Sequence, residues 1–143
     1  CLVGSEMCIR DRRMDSVQSY FKFNMDMLDT QIRHRLFTAE LPVYTKVRDE
    51  MPARYGDNVT VVNSLVADGC IIEGTVENSV LARGVRIAPG AHVKNCIIMQ
   101  DGQVHNDASI ENCILDKQTV IKRSARLIGP AAYPIVIAKN VVI

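Results

Sequence analysis

The sequence predicts a parallel β-solenoid of three-sided coils, and two observations carry that reading. A six-residue phrase recurs four times, as Val61-Val62-Asn63-Ser64-Leu65-Val66, Val76-Glu77-Asn78-Ser79-Val80-Leu81, Val93-Lys94-Asn95-Cys96-Ile97-Ile98 and Ile110-Glu111-Asn112-Cys113-Ile114-Leu115, with starts 15, 17 and 17 residues apart. A period this short leaves no room for a helical hairpin per repeat and marks a solenoid. Inside each unit an aliphatic residue returns every five or six positions: Val59, Leu65, Ile71, Val76, Leu81, Ile87, Val93, Ile98, Val104, Ile110, Leu115, Ile121 and Leu127. Three strides make about one repeat, so each coil carries three short strands with one aliphatic side chain per strand pointing into a prism.

The corners of such a prism need residues that tolerate sharp turns. Gly69, Gly74, Gly84, Gly90 and Gly102 lie between the aliphatic stops, where a positive φ is often required. Coils stacked at roughly 4.8 Å bring equivalent side chains into ladders, of which Asn63, Asn78, Asn95 and Asn112 form one. Hexapeptide coils of this kind resemble the left-handed parallel β-helix, an exception to the right-handed crossover rule. The expected fold class is therefore all-β: a left-handed parallel β-helix of about four to five coils, preceded by a short N-terminal α-helix and an extended linker.

Taken in order, residues 1–12 look like the translated read-through of a transposon-type sequencing adapter and are set aside from fold reasoning. Residues 13–40 hold an amphipathic helix: Val17, Phe21, Met25 and Leu28, with Tyr20 beside them, fall at helical spacing, and Asp15 or Ser16 caps the start. Residues 29–35 extend it or form a second short turn. Residues 41–58 read as a proline-punctuated linker, through Leu41-Pro42-Val43-Tyr44-Thr45 and Met51-Pro52-Ala53-Arg54-Tyr55-Gly56. The hexapeptide domain then occupies residues 59–143. One helix and a linker bury little surface, so the helix is expected to close a larger domain upstream and pack against it. The final Val141-Val142-Ile143 favours a buried terminal strand.

Composition narrows the function classes. Without residues 1–12 the chain carries 15 basic and 14 acidic groups, and the whole sequence has three Phe, four Tyr and no Trp. Such a balance offers neither a basic stripe nor stacking aromatics for nucleic acid. No stretch is long and apolar enough for a membrane span. Cys70, Cys96 and Cys113 lack metal-type clustering, and the last two occupy the ladder position of Ser64 and Ser79, as small packed thiols in a reducing cytosol do.

Three phrases carry a family resemblance. Ser19-Tyr20-Phe21-Lys22-Phe23-Asn24-Met25-Asp26-Met27-Leu28 resembles the helix that closes the nucleotidyltransferase domain of glucose-1-phosphate adenylyltransferase, also called ADP-glucose pyrophosphorylase. Pro42-Val43-Tyr44-Thr45 with Pro52-Ala53-Arg54-Tyr55 resembles its interdomain linker, where a second proline often stands in place of Met51. The run from Asn63 to Met99-Gln100-Asp101 resembles its hexapeptide domain. Ser64-Leu65-Val66-Ala67-Asp68-Gly69-Cys70 and Tyr133-Pro134-Ile135-Val136-Ile137-Ala138-Lys139 are most similar to the non-catalytic, regulatory-type subunit of Firmicutes.

The resemblance implies a cytoplasmic role in glycogen synthesis, assembly into a hetero-tetramer with a catalytic subunit, and control by an anionic metabolite effector. It places the chemistry, adenylyl transfer from ATP to glucose 1-phosphate with Mg²⁺, in a domain upstream of these residues. No G-x-G-x-x-G or Walker loop occurs in the chain, so no catalytic residue and no cofactor is assigned to it. A catalytic subunit of the same enzyme, a hexapeptide acyltransferase and a purely structural assembly module are the alternatives.

Candidate chemistry is sparse. Arg83, Arg86, Lys94, Arg123 and Arg126, with Lys122 nearby, are the candidates for effector binding, because a phosphorylated ligand needs convergent cationic donors and Arg grips phosphate bidentately. His92 and His105 invite an acyltransferase base, yet both lie in uninterrupted repeats and read better as surface histidines. A zinc site of three histidines is rejected, since His92 and His105 are thirteen residues apart and His34 lies outside the coils.

Overall fold

The computed structural model describes residues 14–37, 44 and 49–143, and they form a three-sided parallel β-helix with two short helices laid along one side. The adapter-like segment 1–12 and most of the linker phrase around Pro42 lie outside the described residues. α1 (Val17–Asp26) starts at Ser16, whose Oγ accepts from Ser19 N–H while Ser19 Oγ accepts from Ser16 N–H, each at 3.1 Å. That reciprocal cap satisfies two of the amide donors a helix start leaves over. α2 (Thr30–Leu36) is capped by Asp29, which accepts from Gln31 N–H at 2.7 Å. The segment read as an extension or second turn is thus a separate helix.

Each coil contributes one strand to each of three sheets. The first face holds β1 (Arg54–Tyr55), β4 (Ile71–Ile72), β7 (Arg86–Ile87), β10 (Gln103–Val104) and β13 (Val120–Ile121). The second holds β2 (Thr60–Val62), β5 (Thr75–Glu77), β8 (His92–Lys94), β11 (Ser109–Glu111) and β14 (Arg126–Ile128). The third holds β3 (Leu65–Val66), β6 (Val80–Leu81), β9 (Ile97–Ile98), β12 (Cys113–Leu115) and β15 (Ile135–Ile137). All pairings are parallel, and Val61, Val76, Val93, Ile110 and Leu127 stand in one register, piled above one another as the solenoid requires. β1 begins at Arg54, inside the stretch read from sequence as linker.

The prism is filled by two residues per strand. Ile72, Val76, Leu81, Ile87, Val93, Ile98, Val104, Ile110, Leu115 and Ile121 are all buried, each side chain contributing about 2 kcal/mol of transfer free energy. Two residues before each of these sits a smaller buried one: Cys70, Gly74, Ser79, Val85, Ala91, Cys96, Gly102, Ala108, Cys113 and Thr119. A strand alternates its faces with period two, so both positions point inward. The small one lies nearer the corner, where two adjacent faces meet and little volume is left.

The aliphatic walk holds from Val76 onward and slips at its start. Leu65 and Ile71 pair in register with the outward Val80 and Arg86, while Val66 and Ile72 are the inward members. Corner conformations also divide the glycines. Gly69, Gly84 and Gly90 have φ near +70°, whereas Gly74 and Gly102 do not; they are buried where a Cβ has no room. The remaining left-handed corners belong to Asn63, Asn78, Asn95 and Asn112 on one edge and to Asp101, Asp107, Gln118, Ser124 and Asn140 on the others. Asn and Asp tolerate that region through local side-chain hydrogen bonding. From Asn78 onward each such corner amide donates to the preceding coil, as Asn95 to the Glu77 carbonyl at 3.0 Å and Asp101 to the Arg83 carbonyl at 3.0 Å.

The asparagine ladder forms as expected. Asn63 Nδ2 donates to Asn78 Oδ1 at 2.7 Å, Asn95 Nδ2 to Asn112 Oδ1 at 3.3 Å, and Asn112 Nδ2 to the Gly129 carbonyl at 2.9 Å. Beside it, Ser64, Ser79, Cys96 and Cys113 each donate to the carbonyl two residues back, at 2.8, 2.7, 3.1 and 3.1 Å. The serines also accept from the next coil, Ser79 N–H to Ser64 Oγ and Cys96 N–H to Ser79 Oγ. At the C-terminal end Val142 bridges Val120 in parallel, which starts a further strand on the first face, with Val142 itself still half exposed.

The outer side of the third face is apolar. Leu65, Val80, Ile97, Ile114 and Val136 form an outward column, yet Ile97 and Ile114 are only 3% and 4% exposed. The helices cover them. Met14, Val17 and Tyr20 share one cleft with Ile114 and Val136, while Met25, Leu28 and Ile32 share another with Asn63, Asn78 and Asn95. α1 therefore runs back along the stack from the last coils toward the first, its apolar side on the solenoid itself.

Candidate functional site

The regular coils distribute the sequence-derived cations over different sides. Lys94 and Arg126 project from the second face and are exposed. Lys94 stands in register between Glu77 and Glu111, and opposite charges on adjacent rungs favour mutual pairing over capture of a free anion. Arg123 lies at the corner between the first and second faces, where its Nη2 meets Asp107 Oδ2 at 3.4 Å. Arg83 sits at the corner between the third and first faces, and Arg86 projects from the first face. Of the five, Arg86 lines a cleft on the first face, and the others stand on the second face or at corners.

That cleft, about 670 Å³, lies between residues 49–52 and the first face. Its lining includes Arg54 and Arg86 in one register column with Ile71 between them and Gln103 beyond. Two rungs separate the arginines, roughly 10 Å along the stack. Among the described residues neither guanidinium has an ion-pair or hydrogen-bond partner. Gly69 and Gly84 floor one side, and Gly69 N–H donates to the Met51 carbonyl at 2.6 Å, which fastens the 49–52 segment over the sheet. Glu50 Oε2 lies 3.4 Å from where a Cβ on Gly69 would be, and Asp101 Oδ1 lies 2.6 Å from the equivalent point on Gly84. Both carboxylates thus occupy space that the missing side chains leave open. Sequence reasoning missed Arg54 because it fell in the linker; its spacing of 32 from Arg86, one short repeat plus one long one, is the signal that aligns them.

The histidines stay apart. His92 is exposed on the second face between Thr75 and Ser109 in register, and His105 is exposed just after β10 of the first face. His34 belongs to α2. Among the described residues no group of three or more His, Cys, Asp or Glu is placed to hold a metal ion. Cys70, Cys96 and Cys113 are free and buried. Burial pushes the Cys70 thiol up, and burial together with the neighbouring Cys113 thiol pushes Cys96 well up. Neutral thiols of that kind are poor nucleophiles.

A parallel β-helix of hexapeptide coils is thus the class of protein that fold and surface define. The GlmU-like C-terminal hexapeptide family matches residues 49–131, and the chain belongs to that family. Among curated proteins it is 42% identical over 129 residues to the glycogen biosynthesis protein GlgD of Bacillus subtilis (strain 168), an alignment covering 90% of this chain and 38% of that protein. It is 51% identical over 70 residues to GlgD of Geobacillus stearothermophilus, covering 49% of this chain and 20% of that protein. To a glucose-1-phosphate adenylyltransferase of Acetivibrio thermocellus it is 32% identical over 117 residues, 81% of this chain and 27% of the enzyme. The resemblance read from the helix, linker and coil phrases is borne out, and the chain spans well under half the length of these relatives. No helix among the described residues is long and apolar enough to cross a membrane.

Proposed function

We propose that this chain is the C-terminal β-helix domain of a regulatory-type subunit of glucose-1-phosphate adenylyltransferase, acting in subunit assembly and control of cytoplasmic glycogen synthesis. The observation that supports this reading best is the extent of the 42% identity: at 129 residues the match is too long for the coils alone and runs back into the helical region. Hexapeptide coils recur in unrelated proteins, whereas a helix strapped to their third face in a continuous match is a more restricted arrangement. Adenylyl transfer and its Mg²⁺ belong to a catalytic domain outside these residues, and the subunit joins a catalytic one in a hetero-tetramer. Anionic metabolites act on the assembled enzyme, with Arg83, Arg86, Lys94, Arg123 and Arg126 as the candidate contacts.

Co-expression tests it. The chain produced with a catalytic glucose-1-phosphate adenylyltransferase polypeptide from the same genome is expected to co-elute with it in size-exclusion chromatography and to form no ADP-glucose alone. Separate elution at micromolar concentrations would overturn the assembly role.

A further inference from the structure

Two of the three buried thiols are neighbours, and the coil register makes them so. Ile97 pairs with Ile114 and Ile98 with Leu115, so Cys96 and Cys113, each one residue earlier, stand on adjacent rungs at the corner between the second and third faces. Both side chains point into the prism and are fully buried. Serine holds the same place in the two preceding coils, as Ser64 and Ser79. Rungs repeat at roughly 4.8 Å, inside the Cα separation of about 4.4–6.8 Å that a disulfide spans. The Cβ atoms of a disulfide lie about 3.5–4.5 Å apart, so closure draws the two coils slightly together. A disulfide under such strain is the kind that thiol reductants reopen.

The two thiols differ in what lies beyond them. β15 is the edge strand of the third face, β12 with Cys113 is next to it, and β9 lies one rung deeper. Cys113 Sγ is 3.7 Å from the Leu127 carbonyl of the last coil, and that coil joins β14 to β15 through the exposed run Pro130-Ala131-Ala132-Tyr133. Terminal rungs open at lower free energy than inner ones, so opening the last coil bares Cys113 while Cys96 stays covered. The pair is also polarised. Donation from the Cys96 thiol holds Cys113 below the ordinary thiol value, while burial and that same contact push Cys96 up. The thiolate is the nucleophile, which makes Cys113 the first to react and Cys96 the one that follows. Cys70 is the internal control: it is equally buried, donates to the Ala82 carbonyl at 3.1 Å, and has Ala53 and Val85 rather than a thiol on its neighbouring rungs.

We propose that Cys96 and Cys113 form a reversible redox couple, a disulfide that staples adjacent coils under peroxide and a dithiol that a thiol reductant restores. The Cys113 thiolate attacks one peroxide oxygen, the O–O bond breaks, and the departing hydroxide takes a proton to become water, leaving a sulfenic acid. The Cys96 sulfur then attacks the Cys113 sulfur, and its proton goes to the departing hydroxyl, which leaves as a second water. Two thiols lose two electrons and two protons in all, and the peroxide is reduced to two waters. The bond falls beneath the strap, because Ile97 and Ile114, the next residue in each coil, are the side chains that the helices cover. Stapling therefore tightens the part of the third face on which α1 rests. The couple is a property of this chain and does not depend on the assembly reading above.

The test treats the folded full chain, carrying Cys1→Ser and Cys8→Ser, with hydrogen peroxide near neutral pH and maps the products by mass spectrometry without reduction. A link between Cys96 and Cys113 within one chain is expected, reversed by dithiothreitol, with Cys70 still free. Serine already serves this position in the earlier coils, so Cys96→Ser and Cys113→Ser both keep the fold. Cys96→Ser is expected to stop at a Cys113 sulfenic acid that dimedone traps, and Cys113→Ser to leave Cys96 unoxidised. In the linked form, amide exchange at residues 97, 98, 114 and 115 is expected to slow about tenfold or more. All three thiols left free, Cys70 oxidised as fast as Cys113, sulfinic acid on Cys113 beside a free Cys96, or a link between two chains would each overturn the couple. A linked form with unchanged exchange would overturn the staple.

Discussion

Replacing Gly74 by alanine is, by sequence, a conservative change: the equivalent positions of the later coils are Ala91, Ala108 and Ala125. The structure reverses that expectation. The second coil turns from the first face to the second with two residues fewer than the coils beside it, four positions from Ile72 to Val76 against six from Ile87 to Val93. Its corner is drawn in beneath the overlying one. A methyl group on Gly74 would sit 2.5 Å from the Ala91 carbonyl oxygen, 2.9 Å from the Ala88 carbonyl oxygen and 3.1 Å from Ile87 Cγ2. Two of these are backbone atoms that cannot swing aside, and the Ala91 carbonyl also accepts from Thr75 N–H at 2.8 Å. Overpacking of this kind costs about 1–3 kcal/mol, and the strained rung bond adds up to about 1 kcal/mol. The lower entropy of an unfolded alanine returns about 0.4–1 kcal/mol. A net loss of about 1–3 kcal/mol lowers Tm by about 3–10 °C for a chain of this size, read by circular dichroism melts and urea titration. Pairing the change with Ala91→Gly is not expected to rescue it, because the obstacle is the carbonyl rather than the methyl. A G74A protein as stable as the parent, or more stable, would refute the tight corner.

Three further outcomes follow from the ladders and the helix strap. Asn95→Ala, at φ 48° with its amide in the ladder, is expected to cost about 1–2 kcal/mol in urea unfolding, and Asn95→Gly clearly less, because glycine keeps the backbone conformation and loses only the side-chain bond. Cys96 and Cys70 have thiols raised above the ordinary 9.0 by burial, so the folded state holds protons that the unfolded state releases. Their contribution is complete below pH 9.0 and is lost as pH rises beyond it; urea midpoints should fall on that alkaline side, less steeply in Cys96→Ser, and a thiol reagent at neutral pH should label both only on unfolding. Ile114→Asp, on the outer side of the third face, is expected to release α1 while the coils persist, seen as hydrogen exchange rising in residues 17–26 but not at 104 or 121.

The coil was legible because one position recurs under a hard constraint: the prism interior admits only an aliphatic side chain there, and Val76 through Leu127 obey it without exception. The slip at Leu65 and Ile71 has a physical cause. Leu65-Val66, Ile71-Ile72, Val80-Leu81, Ile97-Ile98 and Ile114-Leu115 are pairs of adjacent aliphatics, and in four of them the outward member belongs to the third face, which the helices cover. Alternation then vanishes from the sequence, and a one-residue slip exchanges the two sides of a strand. Gly74 and Gly102 were misjudged for a related reason: a glycine demanded by a left-handed φ and one demanded by a crowded interior look identical in sequence. The cations were legible as residue types only. Whether they converge depends on coil length, since the 15-residue coil followed by 17-residue coils decides which side chains share a rung, and Arg54 enters the column only once β1 is recognised as a strand.

The strap also bears on how an upstream segment can act on the coils. The sequence led us to expect a helix that packs on a domain preceding it; in the structure its apolar side lies against Ile114 and Val136 at one end and near Asn63 and Asn95 at the other. Gln18 and Lys22, one turn apart on α1, are exposed, so that side stays open. A helix with one side on a rigid stack and the other exposed suits a joint, because a partner that grips the open side holds all five coils at once rather than one. The first-face cleft lies on a different side of the prism and is closed by residues 49–52, which follow the helices in the chain. Within that segment the Met51 carbonyl accepts from Gly69 N–H at 2.6 Å, which ties it to the floor of the cleft. The packed aliphatic columns of the prism interior separate the strap from the cleft, so a partner on the strap and an occupant of the cleft would not compete for one surface.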